Sequence, residues 1–248
     1  MERYSDYDAF AWLYNRYFGF VGDNIFPGLA LIAGDSLPDE GRILDLCCGT
    51  GQLAKVLTEK GYKVTGIDGS AEMLRYAKIH APDAEFINKD ARTFKLSSIY
   101  NAVFSTFDSL NHILTLEELS EVFVNVYKCL VNGGIFIFDM TMDKHFEVEA
   151  KDLKDIQEKP DCLYFVRNEY DAEKKLYRWN FTIFQPEDKL WKRSEFVLYQ
   201  TWYPCKDIKS ALEKAGFTGI RTHSFNPQRE IEEATEDSTR IFFFAQKP

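Results

Sequence analysis

Arg42-Ile43-Leu44-Asp45-Leu46-Cys47-Cys48-Gly49-Thr50-Gly51-Gln52-Leu53-Ala54 sets the reading of the whole chain. After Arg42, the next five residues are apolar apart from one acid, the pattern of a short buried strand. Gly49 and Gly51 make a turn. Gln52–Lys60 then places Leu53, Val56 and Leu57 at helical spacing and stops at Gly61. The alternation continues outward. Tyr62–Ile67 is a second strand, and Ser70 caps a helix with Met73, Leu74 and Ala77 on one face. Ala84–Asn88 and Ile99–Thr106 are further strands. Thr115 and Glu118 form a capping box before a helix bearing Leu119, Val122, Phe123, Val126 and Leu130. Asn132-Gly133-Gly134 ends it, and Ile135–Asp139 is a fifth strand. Strands alternating with helices predict a parallel, doubly wound α/β sheet.

Both flanks differ from this core. Residues 5–33 read as helical and crowd aromatic side chains at Phe10, Trp12, Tyr14, Tyr17 and Phe18. After about residue 143 the period becomes two. Cys162–Tyr170, Leu176–Phe184 and Leu190–Trp202 are separated by turn-forming DAEKK and PEDK, which predicts an antiparallel meander. Its apolar positions (Leu163, Phe165; Tyr177, Trp179, Phe181; Phe196, Leu198) are read as one face and its polar ones (Arg167, Glu169; Arg178, Asn180; Arg193, Glu195) as the other. The α/β pattern resumes with a helix at Pro204–Ala215, then strands at Phe217–Phe225 and Thr239–Gln246 around a polar loop, Asn226–Ser238. The expected organisation is a domain of residues 1–142 plus 203–248, its amino-terminal helix at 5–33 acting as a lid, with 143–202 inserted as an antiparallel cap.

Composition narrows the function. With 248 residues, 45% hydrophobic and 15% aromatic, the chain has ample material for a core and is not a disordered protein. Thirty basic against 39 acidic residues, a net charge of −9, argue against a nucleic-acid or anionic-membrane binder. No apolar run reaches the roughly 18 residues of a membrane span, and the first twenty residues lack a signal-peptide core. The five cysteines include no C-x-x-C, so neither a disulfide framework nor a metal cage is indicated. These features lead us to expect a cytoplasmic protein with reduced thiols and no metal.

A glycine turn at a strand end removes Cβ atoms and lets backbone N–H groups approach a ligand. Asp45 lies inside an apolar strand, where a carboxylate is costly unless turn amides or a cationic ligand partner it. Strand two ends in Asp68, well placed for both hydroxyls of a ribose. D-x-x-x-G-x-G followed by an acid ending strand two resembles the class I S-adenosylmethionine-dependent methyltransferases. The resemblance extends to Lys89-Asp90-Ala91, Phe104–His112, Val131–Gly134 and the closing pair of strands, so it covers nearly the whole chain. It implies a seven-stranded, mostly parallel, Rossmann-like sheet with an antiparallel last strand. It also implies S-adenosylmethionine as cofactor, with Gly49 and Gly51 admitting its methionine part and Asp45 holding its ammonium. Asp68 would take the ribose hydroxyls. Gly69 at the strand-two tip and Met73 would flank the adenine, with core packing as the alternative for Met73. Asp90, followed by Ala91, would accept from the exocyclic amine. Phe107 would lie near the sulfonium, and Tyr14, before Asn15, would close over the cofactor.

On the acceptor side, Ser109–Ile113 resembles the matching segment of sugar-amine N-methyltransferases, which place a histidine there. His112 is therefore the candidate base, with packing of its loop as the other reading. Tyr17, Asn111 and Arg240 are candidates for contact with the acceptor, Arg240 either through an anionic group or as a salt-bridge residue. The expected reaction is methyl transfer to a nitrogen or oxygen of a small molecule. The rivals are an NAD(P)-dependent oxidoreductase and a non-catalytic S-adenosylmethionine-binding module. The meander is expected to wall the acceptor pocket. An edge near Trp191, Tyr199 and Trp202 also suits a homodimer.

Overall fold

The computed structural model describes residues 5–19, 24–149, 155–225 and 230–248. β1 (Arg42–Leu46) leads through the glycine turn into α3 (Gln52–Glu59), which follows two earlier helices, α1 (Ser5–Tyr17) and α2 (Phe26–Ala33). Next come β2 (Lys63–Asp68), α4 (Ala71–His80), β3 (Glu85–Asn88), β4 (Tyr100–Ser105), α5 (Leu116–Cys129) and β5 (Leu130–Thr141). The last part of this layer is α7 (Cys205–Ala215), β10 (Thr218–Phe225), β11 (Ile231–Glu233) and β12 (Arg240–Gln246). The sheet runs β11-β10-β12-β5-β4-β1-β2-β3. β1 pairs in parallel with β2 and β4, and β12 is antiparallel to both β5 and β10. This is the expected mostly parallel sheet with a reversed strand, extended by one short edge strand inside what reads as a polar loop. Residues 226–229 of that loop lie outside the described residues. Phe136, Phe138 and Phe243 pack on one face with α5 and α7, and Phe104, Ile137 and Phe244 on the other with α2 and α3.

The second sheet, β6-β7-β8-β9, is antiparallel throughout. After α6 (Asp143–Glu149) it runs through β6 (Asp155–Lys159), β7 (Cys162–Asp171), β8 (Leu176–Glu187) and β9 (Leu190–Thr201). β6 is a fourth strand in a segment too charged to reveal its pairing. The face assignment of β7 needs correction. Cys162, Tyr164 and Val166 are the buried positions, so Leu163 and Phe165 share the outer face with Arg167 and Glu169. Phe181, Phe196 and Leu198 do point inward, against Phe10, Ala11 and Leu13 of α1, and Tyr177 is buried beside Phe146 of α6.

The amino-terminal helix is not continuous from 5 to 33. α1 ends at Tyr17 and α2 begins at Phe26, with Pro27 in its first turn. α1 lies between α4 and the second sheet. Its Asp8 accepts from the Ser70 hydroxyl and the Glu72 N–H, so one side chain joins two helices at the amino end of α4. Among the described residues, no helix is long and apolar enough to cross a membrane.

Candidate active site

The carboxyl ends of β1, β2, β3 and β4 open into a cavity of about 390 Å³ covered by α1 and β9. Chambers of about 300–1,000 Å³ are typical of small-molecule sites. Of the residues singled out in the sequence, Tyr14, Gly49, Asp68, Gly69, Met73, Asp90, Ala91, Phe107 and His112 line it. Met73 also packs in the cluster around α1, so both of its readings hold in part.

The strand-two acid is shaped by its surroundings. Asp68 accepts from the Gly49 N–H at 2.9 Å and the Ser70 N–H at 2.8 Å. Burial pushes its carboxyl up to about 6, against the pull of those amides. Asp45 sits one strand away, behind the turn, and is 2% exposed. The Ala54 backbone N–H reaches its carboxylate, while Oδ2 has no partner. Burial, then the neighbouring Asp68 charge, push it up to about 7. Tyr14 covers this pair. Burial and the charges of Asp108, Asp68 and Asp45 raise its phenol well above the ordinary range, so it stays neutral. At the other end, Asp90 is bound by Arg92, whose guanidinium also meets Glu118 at 3.1 Å.

The two turn glycines have different reasons. Gly49, at φ +51, faces the cavity. Gly51, at φ +84, does not: a Cβ there would lie 2.8 Å from Ala77 Cα, so this glycine lets α3 approach α4 and does not admit a ligand. His80 steadies the turn from α4 through its ring nitrogen, 2.8 Å from the Thr50 carbonyl.

The tip of β4 is strained. Phe107 and Asp108 both have positive φ, 61° and 48°, which costs about 1–3 kcal/mol at each non-glycine residue. The turn is held because the Asp108 N–H donates to Asp139 Oδ2 at 3.0 Å, and Arg240 bridges the Asp108 and Asp139 carboxylates. The 3-10 turn Ser109–His112 follows. His112 Nδ1 lies 2.7 Å from the Tyr199 carbonyl oxygen, and Nε2 lies 3.2 Å from Gln200 Nε2. Tyr7 meets the ring edge-on, with centroids 5.4 Å apart.

Two acceptor-side expectations, Tyr17 and Asn111, are corrected, and for Arg240 the salt-bridge reading is the one the structure shows. Tyr17 donates to Asp161, which also pairs with Arg16, so Tyr17 fastens α1 to the second sheet and does not line the cavity. Asn111 is fully buried and uses both amide ends on backbone: Nδ2 donates to the Thr141 and Thr201 carbonyls, and Oδ1 accepts from the Thr141 N–H. Arg240 is bound to two carboxylates and lies outside the cavity, so its charge is already neutralised. Sequence reading missed Tyr7, Phe10, Cys47 and Arg92, all of which line the cavity; it expected the meander to wall the acceptor pocket without singling out Val197–Tyr199, the part of it that reaches the cavity. Cys47 had a legible signal, as the first residue past the apolar strand. For β9 the period of two marked the sheet but not which residues reach the cavity, since that depends on how the sheet folds back over the β4 tip.

A strand-tip chamber with a glycine turn after β1 and acids at the tips of β2 and β3 defines a doubly wound α/β protein with a ligand site at the carboxyl ends of its strands. A family profile described as a methyltransferase domain matches residues 43–134. YqeM of Bacillus subtilis (strain 168), whose name places it among the methyltransferases without giving an acceptor, is 30% identical over 216 residues, 86% of this chain and 86% of that protein. Over 102 residues the chain is 31% identical to a dTDP-3-amino-3,4,6-trideoxy-alpha-D-glucopyranose N,N-dimethyltransferase of Streptomyces venezuelae, 41% of this chain and 43% of that one. The fold matches the crystal structure of an S-adenosylmethionine-dependent methyltransferase from Clostridium acetobutylicum ATCC 824 with a TM-score of 0.78 at 19% identity, over 97% and 98% of the two chains. The chain belongs to the class I S-adenosylmethionine-dependent methyltransferases, which sets aside the oxidoreductase and non-catalytic readings. The site suits that cofactor. The buried, unpartnered Asp45 Oδ2 asks for a cation behind the turn, and Asp68 and Asp90 present carboxylates at the cavity wall.

Proposed function

We propose that the protein transfers the methyl group to a nitrogen or oxygen of a small-molecule acceptor, and that His112 receives the acceptor's proton. The observation that carries this reading is a single covered chamber running from Asp68 and Asp90 to His112 and Tyr199. Its far end is walled by Tyr7, Phe10, Leu114, Val197 and Tyr199. A covered, largely aromatic and aliphatic space suits a small molecule better than a nucleic-acid strand, and the net charge of −9 points the same way. The partial match to an aminosugar N,N-dimethyltransferase supports a nitrogen acceptor.

S-adenosylmethionine supplies a methyl group on a positively charged sulfur and leaves as a neutral thioether. In this chain, Asp68 would hold the ribose hydroxyls, Asp45 would face the ammonium from behind the turn, and Asp90 would accept from the adenine amine beside Ala91 and Met73. Tyr14 would close over the methionine end, and Phe107 would limit the reactive end. α1 and β9 exclude water and hold the acceptor in line, an arrangement that contributes about 7–11 kcal/mol in favourable systems. His112 draws off the proton through Nε2, exchanging its Gln200 contact for the acceptor. Burial lowers the His112 pKa and outweighs the opposing Asp108 charge, so the ring is neutral near pH 7. We further propose that residues 143–202 form a cap on a domain made of 1–142 and 203–248, within a cytoplasmic enzyme.

The test is calorimetry with S-adenosylhomocysteine followed by radiolabelled methyl transfer to a panel of amines, hydroxyls and nucleic acids. Asp68→Ala should weaken cofactor-product binding by about 1.5–3 kcal/mol through loss of charged hydrogen bonds. His112→Ala should leave that binding unchanged and lower kcat by roughly 10²–10⁴. Label found on nucleic acid and on no small molecule would defeat the acceptor assignment.

A further inference from the structure

Gln200 lies on β9 at 3% exposure and does not line the cavity. Its amide is fixed by chemistry at both ends. Oε1 accepts from Trp179 Nε1 at 3.0 Å, and an indole N–H only donates. Nε2 donates to Asp108 Oδ2, an ionised acceptor: burial would raise that carboxyl, but the Arg240 charge and the hydrogen bonds from Arg240 and Gln200 favour its charged form. The amide nitrogen therefore faces His112 Nε2 at 3.2 Å with its second hydrogen, and that ring nitrogen must present a lone pair. The Tyr199 carbonyl makes the same choice from the other side, since it accepts and so places the ring proton on Nδ1. Two independent contacts select one tautomer.

We propose that Gln200 is the positioning residue for His112: anchored by Trp179 and Asp108, it keeps the ring in the Nδ1–H form with Nε2 unprotonated and ready to receive the acceptor's proton. This deepens the reading of His112 as proton acceptor and rests on it for its catalytic consequence. The acceptor's N–H or O–H proton passes to Nε2 as the acceptor atom bonds to the methyl carbon, and the electron pair of the broken carbon–sulfur bond stays on sulfur. Asp108 then lies near the new positive charge.

Through Gln200, which does not line the cavity, the second sheet acts on the reaction centre as well as walling it. The end of β9 and the turn after β4 are stitched together. Asn111 donates to the Thr201 carbonyl at 2.7 Å, and Tyr203 donates to the Ile113 carbonyl at 2.6 Å. A displacement of β9 moves the amide, and with it the preferred tautomer. The titratable groups facing the ring are Tyr7 from α1 and Asp108 from its own turn, with Arg240 and Asp139 behind Asp108.

The experiment is long-range proton–nitrogen NMR of the histidine side chains in the full chain, assigned with His112→Ala and followed over pH. Wild-type protein should show the Nδ1–H form, titrating below the usual histidine value. Gln200→Leu should give mixed tautomers and move the midpoint upward by about half a unit to one unit, because no amide hydrogen then opposes a proton on Nε2. The acid limb of kcat should move with it, while S-adenosylhomocysteine affinity stays the same. Trp179→Phe keeps the amide but frees it to rotate, and should shift the same signals less; it carries the test if Gln200→Leu fails to fold. An unchanged tautomer and midpoint in the folded variant would overturn the proposal, even if kcat fell. If His112→Ala keeps full turnover, the base reading fails separately, and the tautomer signal still decides what Gln200 does.

Discussion

Asp45 and Asp68 carry the unusual electrostatics of this site. Their carboxyls lie at about 7 and about 6, against the ordinary carboxylate near 3.8. Folded protein thus binds these protons more tightly than unfolded chain, and the stability they contribute is fully present below about 3.8 and lost progressively as pH rises from there through the folded values of about 6 and 7. They interact, so the pair titrates together. A bound ammonium and ribose favour the charged forms and reverse the preference. Binding of S-adenosylhomocysteine should therefore release protons near pH 6.5, and its affinity should fall roughly tenfold between pH 7.5 and 6. Calorimetry in two buffers of different ionisation heat measures that release directly. Asp45→Asn should abolish much of it. Proton-neutral binding across this range would remove Asp45 and Asp68 from the proposed cofactor contacts.

Elements are held over this site by a few side chains that give everything to backbone. Asn111 is the clearest. It joins the turn after β4 to the ends of β5 and β9 through Thr141 and Thr201. Asn111→Ala leaves a buried N–H and two buried carbonyls short of a partner, at about 1–3 kcal/mol each before relaxation. A loss of about 2–5 kcal/mol in denaturant unfolding is expected, with acceptor KM in the surviving folded fraction near that of wild type. A stable variant with raised KM would instead return Asn111 to the acceptor. The same logic explains why α1 stays docked: Asp8 serves both the Ser70 hydroxyl and the start of α4.

For the molecule as a whole, the question is what the second sheet is for. Its buried face covers α1, while Val197, Leu198 and Tyr199 of β9 reach the cavity. Leu190 and Trp191 stand exposed at its far turn, and Trp202 is occupied by Tyr170 and by Lys175 over its ring. A wall and a docking patch therefore fall on different residues. Tyr199→Ala should raise acceptor KM severalfold and leave S-adenosylhomocysteine affinity alone, because the His112 contact is to the Tyr199 backbone. Trp191→Ser should leave KM unchanged. If only sedimentation responds to either change, the sheet serves association and acceptor choice passes to α1 and the turn after β4.

The sequence by itself determined the doubly wound sheet, the glycine turn and the strand-tip acids, because these are local: a strand's apolar run, a turn's backbone and the next helix's stripe lie within a dozen residues. It also marked His112, but not what His112 touches. Leu163 and Phe165 were misread because alternation alone cannot say which parity faces in when both faces carry apolar residues. Arg240 and Asn111 looked free to meet an acceptor, yet Arg240 is taken by Asp108 and Asp139, and Asn111 by Thr141 and Thr201. Gln200 and Trp179 were silent, since a polar residue in a strand gains meaning only from its partners. Tertiary structure decided these points: β9 and the turn after β4 are about ninety residues apart in sequence, and no period or motif spans that distance.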